Sequence, residues 1–303
     1  MSVPSPSRVS VAAVIVNYNA GSALTEAVLS LVSDDSVEWE SVIVIDNASR
    51  DGSADRVESV APAVRLIRNS TNVGFGRGVN RGVAATKASL ILLINPDCTI
   101  APGATAILAA GLRDDPSCAI VGPRILDPDG SVQGSARGDP DMLTGLFGRT
   151  SALRRLLPHS RLSTRNVVST GPDAQSGDSR VVDWLSGACM MVRRTAFEAV
   201  GGFDERYFLY WEDADLCRRL RAQGQRVRYL PSAVAVHQVG RSSQTAPAES
   251  IRAFHRSAYL YYTTHVAPGP LNPKRLIARG LLAVRCWWRL RDSRQPHLTA
   301  ERR

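Results

Sequence analysis

The sequence contains no Cys-x-x-Cys pair, and its five cysteines are scattered along 303 residues. This pattern argues against a disulfide framework and a cysteine-based zinc site, and it favours a reducing compartment. No uninterrupted apolar run approaches the roughly 18 residues that a membrane-spanning helix needs. The segment 1–10 also lacks the long apolar core of a signal peptide. We therefore expect a globular protein that works in the cytoplasm.

The net charge of +9 is concentrated near the end of the chain. Residues 266–303 contain nine basic and two acidic residues, whereas the rest of the chain is nearly neutral. A nucleic-acid-binding protein would more often carry a basic face on its folded domain, and no such face is indicated. We expect a disordered segment at 1–10, one domain at 11–265 and a basic extension at 266–303. Within the domain, we expect a nucleotide-binding half at about 11–126 and a catalytic half at about 127–245.

Short apolar runs alternate with helical segments in the first third of the chain. The predicted strands are 11–16, 41–45, 64–67 and 90–94. This alternation implies right-handed crossovers and an α/β fold with a mainly parallel, doubly wound sheet. Such sheets bind ligands at the carboxyl ends of their strands. Polar side chains cluster at those ends, namely Tyr18, Asn19, Asp46, Asn47, Asn72 and Asp97.

The glycine-rich stretch after the third strand does not fit a dinucleotide fingerprint. Gly74 and Gly76 match the first two glycines of G-x-G-x-x-G, but Val79 occupies the third position. The fingerprint would also follow the first strand of the sheet. A mononucleotide site that uses backbone amides near the start of a helix is still compatible with the stretch.

Two acidic stretches each allow a structural and a functional interpretation. Glu212, Asp213 and Asp215 follow an aromatic run, and the spacing of later leucines predicts a helix that begins with these acids. They either stabilise the helix through its dipole or supply a general base at the mouth of a pocket. Asp97, in a proline-containing turn, is either an ordinary turn residue or a ligand for a divalent cation.

The second half of the chain contains three further features. Residues 127–180 are rich in Gly, Ser, Pro, Asp and Arg, which suits either a surface loop or a flap over a site. Two short strands are predicted at 225–230 and 233–237, the second ending at His237. Residues 275–291 project as an amphipathic helix with arginines opposite an apolar face that carries Trp287 and Trp288. This helix either docks on the core or binds an anionic membrane surface.

The order of these motifs resembles that of the inverting family 2 glycosyltransferases, and within them the bacterial rhamnosyltransferase-like branch. The resemblance covers roughly residues 10–245. Its pieces are Val16-Asn-Tyr-Asn19, Asp46-Asn-Ala-Ser-x-Asp51-Gly, Asn72-x-Gly-Phe-Gly with Asn80 and Gly82, Asn95-Pro-Asp97, Trp184-Leu-Ser-Gly187-Ala188, Gly201-Gly-Phe-Asp204-Glu, Glu212-Asp213, and His237-x-x-Gly240-x-Ser242. The resemblance implies a GT-A fold, which is a Rossmann-like nucleotide-diphospho-sugar transferase fold, here with a C-terminal helical extension.

The resemblance also implies roles for individual residues. Asp213 matches the catalytic base, and Asp97 with His237 matches the metal site, while Asn95 stands where the family usually has an acid. Asp46 would read the nucleobase or ribose. The other positions implied in donor binding are Tyr18, Asn19, Asn47, Asn72, Gly74, Phe75, Asn80 and Asn95. The positions implied to line the donor-sugar and acceptor pocket are Trp184, Gly187, Ala188 and Glu212.

The activity implied by the resemblance is transfer of L-rhamnose from dTDP-L-rhamnose to a glycan or polyprenyl-linked acceptor. It would proceed with inversion and with a divalent cation, Mg²⁺ or Mn²⁺. The alternatives are a transferase that uses a UDP-hexose and an inactive nucleotide-sugar-binding protein. A lipid-linked acceptor would place the protein at the inner face of the plasma membrane, in peripheral contact with anionic lipid and without a nucleic-acid partner.

Overall fold

The computed structural model describes residues 10–139, 178–238 and 247–293. Within them, a large mixed sheet carries helices on both faces. The strands are β1 Val11–Asn17, β2 Trp39–Asp46, β3 Arg65–Arg68, β4 Leu90–Ile94, β5 Cys98–Ile100, β6 Cys118–Leu126, β7 Ala136–Arg137, β8 Arg180–Val181, β9 Trp184–Leu185, β10 Cys189–Arg193 and β11 Arg226–His237. The helices are α1 Ser22–Val32, α2 Ser53–Val60, α3 Phe75–Ala84, α4 Ala104–Arg113, α5 Arg194–Ala199, α6 Glu212–Ala222, α7 Pro247–Tyr261 and α8 Lys274–Asp292.

The strands of the large sheet follow the order β3-β2-β1-β4-β10-β6-β11-β5, and β8 pairs with β11. The run from β3 to β4 is parallel, as is the β6–β11 pair. Strand β10 lies antiparallel between β4 and β6, and β5 is antiparallel to β11. The predicted α/β fold with a mainly parallel central sheet is therefore confirmed.

The central strands are buried along their whole length because both faces of the sheet are covered. Every residue of β1 is buried, and its alternate side chains enter two different apolar clusters. One cluster contains residues of α1, α2 and α4, and the other contains residues of α3, α5 and α6. Strands buried on both faces read as continuous apolar runs, which is why they were recognisable in the sequence.

The two strands predicted at 225–230 and 233–237 are wrong as separate elements. They form one strand, β11, whose pairing with β6 shifts register between Leu230 and Val234. The Pro231-Ser232 pair suggested that the strand breaks there. In the structure, the strand continues through this pair with an irregular register. His237 ends this strand and lies opposite Cys98 of β5, which follows directly after Asp97.

The C-terminal arm, residues 247–293, consists of α7, a π-helical segment at Tyr262–Val266 and α8. The helix predicted at 275–291 is confirmed. It packs on the π-helical segment through buried Ala278 and on α7 through half-buried Arg285, whose guanidinium lies 5.9 Å from the ring centre of Phe254. Most of its large apolar residues face outward instead, so the alternative in which the face that carries Trp287 and Trp288 docks on the core is wrong. The exposed apolar residues of α8 are Leu276, Ile277, Leu281, Val284, Trp287 and Trp288.

No helix in the described parts of the chain is long and apolar enough to cross a membrane. The predicted disordered segment at 1–10 falls almost entirely outside the described residues. Most of the segment 127–180, predicted as a surface loop or a flap, also lies outside the described residues. So do Gly240 and Ser242 of the histidine motif.

Candidate active site

The carboxyl ends of β1 and β2 meet at Asn17 and Asp46, which are partners in the parallel register. Asn17 Nδ2 donates a hydrogen bond of 2.8 Å to Asp46 Oδ1, and the amide of Ser49 donates one of 3.2 Å to Asp46 Oδ2. Asn17 is fully buried and Asp46 nearly so. The Asp46 carboxylate is therefore held in one orientation at the edge of the sheet where ligands of this architecture bind.

The loop after β1 is fastened to the loop after β2. Asn19 adopts a left-handed backbone conformation, with φ of 51°. Its amide donates to Ser49 Oγ at 3.0 Å, and its Oδ1 accepts from the amide of Arg50 at 2.8 Å. Tyr18 lies half-buried in the same loop. The structure thus gives Asn19 a role in shaping the edge beside Asp46, whereas direct contact of Tyr18 and Asn19 with a nucleotide stays a prediction.

The glycine loop before α3 is tied to the same edge by two asparagines. Asn47 Nδ2 donates to the carbonyl of Gly74 at 3.1 Å, and Asn72 Oδ1 accepts from the amide of Gly74 at 3.0 Å. Gly74 has φ of 88°, and a Cβ at this position would overlap the carbonyl of Phe208. That carbonyl accepts from the amide of Phe75 at 2.9 Å. Glycine is required because the loop passes against the segment that precedes Asp213.

Asn80 lies on α3, and its side chain forms hydrogen bonds with the loop around Phe203. Its Oδ1 accepts from the amide of Phe203 at 2.9 Å, and its Nδ2 donates to the carbonyl of the same residue at 2.9 Å. Because both ends of the amide are engaged by one residue, the side chain acts as a brace between α3 and that loop. Its implied role in donor binding would have to be indirect.

The turn after β4 and the end of β11 bring the two implied metal ligands together. His237 Nε2 lies 3.1 Å from Asp97 Oδ1, and the Asn95 side-chain amide lies 3.4 Å from the same ring nitrogen. Both side chains are largely buried, with 12 % of His237 and 6 % of Asp97 exposed. On its other side, His237 Nδ1 contacts Gln133 Oε1 at 3.1 Å. The sequence analysis missed Gln133.

The hydrogen bonds of Gln133 fix the tautomer of His237. Gln133 Nε2 donates to the carbonyl of His237 and to Asp127 Oδ1, both at 2.8 Å. Gln133 Oε1 must then accept from His237 Nδ1, so a neutral imidazole presents its Nε2 lone pair to the carboxylate of Asp97. Two acceptors 3.1 Å apart require a proton or a cation between them.

This pair of acceptors fits a divalent cation that completes its shell with phosphate oxygens and water. The parts of the chain that the structure describes contain no group of three or more His, Cys, Asp or Glu side chains that could hold a metal ion. The cation would accordingly be held jointly by Asp97, His237 and the diphosphate of a bound nucleotide.

Asp213 lies in the first turn of α6 and is fixed by two backbone amides. Gly187 donates to its Oδ2 at 2.9 Å, and Ala214 donates to its Oδ1 at 2.8 Å. Burial raises the pKa of Asp213 above its ordinary value, and the two amides oppose this shift. The positive charge of Arg137 also opposes it. Asp213 is half-buried, and a carboxylate with a raised pKa is a stronger proton acceptor than an ordinary exposed one, as a general base requires.

Glu212 is the neighbouring acid, and its carboxylate is held less firmly by hydrogen bonds. Burial raises its pKa well above the ordinary value, and the negative charge of Asp213 adds to the shift. Among the described groups, its buried Oε2 has no hydrogen-bond partner. When two carboxylates share a site, one is forced towards its neutral form. Asp213, which accepts from two backbone amides, is therefore better stabilised in its charged form than Glu212, whose Oε2 accepts from none of the described groups.

The Gly187-Ala188 dipeptide joins the base to the turn after β4. While the Gly187 amide holds Asp213, the Ala188 carbonyl accepts from the amide of Asn95 at 2.9 Å. A Cβ on Gly187 would contact both Asp213 and the ring of Phe75, each at 3.5–3.7 Å. The base, the candidate metal turn and the glycine loop therefore converge on two consecutive residues.

Trp184 forms a wall beside this centre. Its Nε1 donates to the carbonyl of Gly138 at 2.9 Å, and the Arg137 guanidinium lies 5.0 Å from the centre of its ring. Strands β7 and β9 pair Arg137 with Trp184 directly. Arg137 is thus held by an aromatic face near Asp213. The sequence analysis did not name Arg137, and it included Asn17 in the Val16-Asn-Tyr-Asn19 motif without giving it a role of its own.

Comparison with known proteins identifies the class. The chain matches the family described as Glycosyl transferase family 2 over residues 12–201, and Glycosyl transferase family group 2 over residues 160–266. The first match covers more than half of the chain, so the protein belongs to glycosyl transferase family 2. It is a glycosyltransferase, as the motif order implied.

Two curated relatives are rhamnosyltransferases. The chain is 35 % identical over 293 residues to an N-acetylglucosaminyl-diphospho-decaprenol L-rhamnosyltransferase of Mycobacterium tuberculosis strain H37Rv, with 92 % of each chain covered. It is 40 % identical over 81 residues to rhamnosyltransferase WbbL of Escherichia coli K12, which covers 27 % of this chain and 31 % of WbbL. The implied rhamnosyltransferase-like resemblance is therefore confirmed.

Solved structures confirm the GT-A fold. GalNAc-T7 with UDP, GalNAc and Mn²⁺ has a TM-score of 0.58 at 15 % identity and covers 92 % of this chain and 55 % of that chain. The mannosyltransferase PcManGT from Pyrobaculum calidifontis with GDP-Man and Mn²⁺ has a TM-score of 0.55 at 17 % identity and covers 93 % of this chain and 72 % of that chain. At these identities the likeness concerns the fold alone.

Proposed function

We propose that this glycosyltransferase moves L-rhamnose from dTDP-L-rhamnose to a polyprenyl-linked glycan acceptor, with inversion at the anomeric carbon. The observation that carries the reaction class is the Gly187-Ala188 dipeptide, which places Asp213 beside the turn that carries Asp97. A proton acceptor and a site for the leaving diphosphate are thereby set next to each other.

The chemistry needs one base and no protein nucleophile. Asp213 accepts the proton of the acceptor hydroxyl as the oxygen attacks the anomeric carbon. The new carbon–oxygen bond forms on the face opposite the bond to the diphosphate oxygen, which breaks with its electron pair. A single displacement of this kind inverts the configuration. The raised pKa of Asp213 favours the proton transfer, and the raised pKa of Glu212 favours a protonated form that would donate a hydrogen bond to the acceptor.

The donor would lie along the carboxyl edge of β1, β2 and β4. Asp46 is positioned to accept hydrogen bonds from the ribose or base, with Tyr18 and Asn72 beside it. The amides of Gly74 and Phe75 are bonded within the protein, so the phosphates would face the start of α3 beyond them, where the positive end of the helix dipole favours negative charge. Asp97 and His237 would hold Mg²⁺ or Mn²⁺, which when bound would stabilise the charge that develops on the departing diphosphate.

The sugar and acceptor are inferred from the Mycobacterium tuberculosis relative, which aligns over almost the whole of both chains. Its name specifies an L-rhamnosyl group and an N-acetylglucosaminyl-diphospho-decaprenol acceptor. The partial match to WbbL supports the same sugar. A role in the synthesis of a cell-wall polysaccharide follows from an acceptor of this kind.

The proposal is tested with purified protein, Mn²⁺ or Mg²⁺, and a polyprenyl-diphosphate acceptor that carries N-acetylglucosamine. We expect transfer from dTDP-L-rhamnose and product of inverted anomeric configuration. Transfer only from a UDP-hexose would identify the alternative donor class. Donor binding without transfer or hydrolysis of any nucleotide sugar would identify an inactive binding protein.

We also propose that the C-terminal arm contacts an anionic membrane surface from the cytoplasmic side. The outward face of α8 presents Trp287 and Trp288 with 56 % and 61 % of their surface exposed. The helix also carries exposed basic residues, and each one near an anionic leaflet contributes roughly 1 kcal/mol. A lipid-linked acceptor would be presented at such a surface. The exposed basic residues of α8 are Lys274, Arg279, Arg289 and Arg291.

Co-sedimentation with phosphatidylglycerol vesicles tests this contact. We expect binding that weakens as salt is added, because salt screens exposed charges. Truncation after Pro270 should abolish binding and leave transfer to a short soluble acceptor largely intact. The paired change of Trp287 and Trp288 to Ser should weaken binding without loss of fold, since both side chains are exposed. Equal sedimentation of the full chain with neutral and anionic vesicles at every salt concentration would contradict the proposal.

A further inference from the structure

The catalytic helix α6 carries a buried acid that the proposed reaction does not use. Asp215 has only 1 % of its side chain exposed and lies two residues after the base. Arg219, one turn further along α6, donates to Asp215 Oδ2 at 2.7 Å. The same arginine donates to the carbonyl of Val200 at 2.7 Å, so one side of the carboxylate is tied to the domain core.

The other oxygen of Asp215 is held by the C-terminal arm. His265 Nε2 lies 2.7 Å from Asp215 Oδ1 and donates to it. His265 belongs to the π-helical segment at Tyr262–Val266, and its own carbonyl accepts from Arg218 of α6 at 3.1 Å. A π-helical turn shifts the phase of a helix, and such turns frequently mark functional positions. Here it directs the His265 side chain into the first turn of α6.

The arm also covers the strained turn that starts α6. Tyr210 and Trp211 have φ of 67° and 71°, a left-handed conformation that bulky residues adopt only when their surroundings enforce it. The ring of Trp211 packs against Tyr261 at 5.2 Å and against Phe254 at 5.8 Å. Both of these partners belong to α7. The arm therefore contacts α6 immediately before and immediately after Asp213.

We propose that His265 is a positioning residue for Asp213: by holding Asp215, it fixes the first turn of α6 and thereby the direction of the base. This inference rests on the proposed role of Asp213. Asp213 and Asp215 lie in the same helical turn, so a movement of that turn displaces both side chains. Loss of the His265 contact therefore changes the angle at which Asp213 meets the acceptor hydroxyl. The arm is thus a part of the catalytic apparatus as well as a membrane-facing surface.

The test compares three variants of the full chain with wild type, using whichever of dTDP-L-rhamnose or the UDP-hexoses the wild type turns over. His265→Leu removes the donor to Asp215. His265→Gln retains an amide donor close to the position of Nε2. His255→Leu is the matched control, because His255 is also a buried arm histidine but bonds within its own helix, to the carbonyl of Ile251 at 2.7 Å.

We expect His265→Leu to lower kcat by up to about 100-fold, the scale of a small misplacement of a catalytic group. Its KM for the donor should be unchanged, because the donor edge lies on other elements. His265→Gln should restore most of kcat, and His255→Leu should retain it. Melting curves separate misplacement from unfolding. If His265→Leu does not fold, His265→Asn, whose shorter amide does not reach Asp215, is compared with His265→Gln.

The outcomes distinguish this inference from the proposed function. Full activity of Asp213→Asn, measured in parallel, would overturn both. An inactive Asp213→Asn beside wild-type kcat in His265→Leu would overturn the positioning role alone. Equal losses of kcat in His265→Leu and His265→Gln, or in His265→Leu and His255→Leu, would also overturn it, because they would indicate a general effect on the arm.

Discussion

Asp46 at the donor edge and Glu212 on the catalytic helix are both buried carboxylates, 3 % and 5 % exposed. Asp46 accepts from Asn17 and Ser49, both neutral groups supplied by neighbouring strands and loops. Glu212 has a buried oxygen without a partner among the described groups, and the negative charge of Asp213 lies next to it. The two carboxylates are buried to a similar extent. Neutral donors surround Asp46, whereas a second negative charge lies beside Glu212.

This difference separates binding from catalysis within one fold. A group that only recognises a ligand is best held rigid and satisfied before the ligand arrives. A group that must accept a proton benefits from a raised pKa, and burial beside a second acid provides it. The donor edge is thus a preformed surface, whereas the start of α6 keeps two acids in an environment that disfavours their charge. Four measurements would break or sharpen this contrast.

The largest effect is expected at the base. Asp213→Asn removes the proton acceptor with little change in shape, and turnover should fall by about 10²–10⁴-fold. Binding of dTDP, followed by calorimetry, should be retained because the donor edge is separate. The change Asp114→Asn, at an exposed aspartate paired with Arg113, serves as the control and should leave turnover unchanged. Near wild-type turnover in Asp213→Asn would move the base to Glu212 or Asp215.

The metal turn should respond next. Asp97→Ala and His237→Ala should each weaken the metal-dependent binding of dTDP, because each removes one of the two proposed protein ligands. EDTA should abolish the activity of the wild type, and excess Mn²⁺ should restore it. Full activity in EDTA would remove the metal from the proposal and leave the diphosphate to basic side chains and helix amides.

A smaller effect is expected from Gln133, which contacts His237 but neither base nor donor edge. Gln133→Leu should weaken metal affinity by roughly 10–100-fold, because the tautomer and ring orientation of His237 are no longer fixed. Gln133→Glu keeps an acceptor for Nδ1 and should retain more of the affinity. Titration of Mn²⁺ in the presence of dTDP measures both. Equal affinities for wild type and Gln133→Leu would show that His237 is oriented by Asp97 and Asn95 alone.

The smallest effect concerns stability. Because burial raises the pKa of Glu212 in the folded protein, the unfolded chain loses this proton first as the pH rises. The contribution of Glu212 to the free energy of unfolding is therefore full below the ordinary glutamate pKa of about 4.3 and is lost as the pH approaches the raised value. Glu212→Gln should flatten this part of the pH dependence.

Melting temperatures across pH measure it, with a shift of roughly 2–4 °C for each kcal/mol. The exposed Glu249→Gln is the control and should leave the profile unchanged. A wild-type profile that rises steadily over the same range, without a difference from Glu212→Gln, would contradict the raised pKa.

The sequence predicted those features that depend on local pattern. Continuous apolar runs gave the parallel strands, and the polar residues after them marked the edge that holds Asp46 and Asp97. The spacing of Leu216 and Leu220 behind the three acids gave α6. These predictions held because burial on both faces of a sheet, and on one face of a helix, leaves a periodic trace in the residues themselves.

Contacts between distant segments left no such trace. Gln133 and His237 are 104 positions apart, and nothing in either segment indicates the other. The insertion of β10 between β4 and β6 pairs segments that are far apart in the sequence, and local patterns do not specify such a pairing. The helical projection of residues 275–291 predicted an apolar face, most of which is exposed on α8, but periodicity cannot say which face packs on α7.

The Gly187-Ala188 dipeptide makes the separation between proton acceptor and leaving-group site a property of two linked peptide units. Side chains around the pocket can be exchanged without altering that spacing. Under the roles proposed for Asp213 and Asp97, substitutions in the walls of the pocket would change which sugar is accepted while the backbone keeps the distance between the two groups.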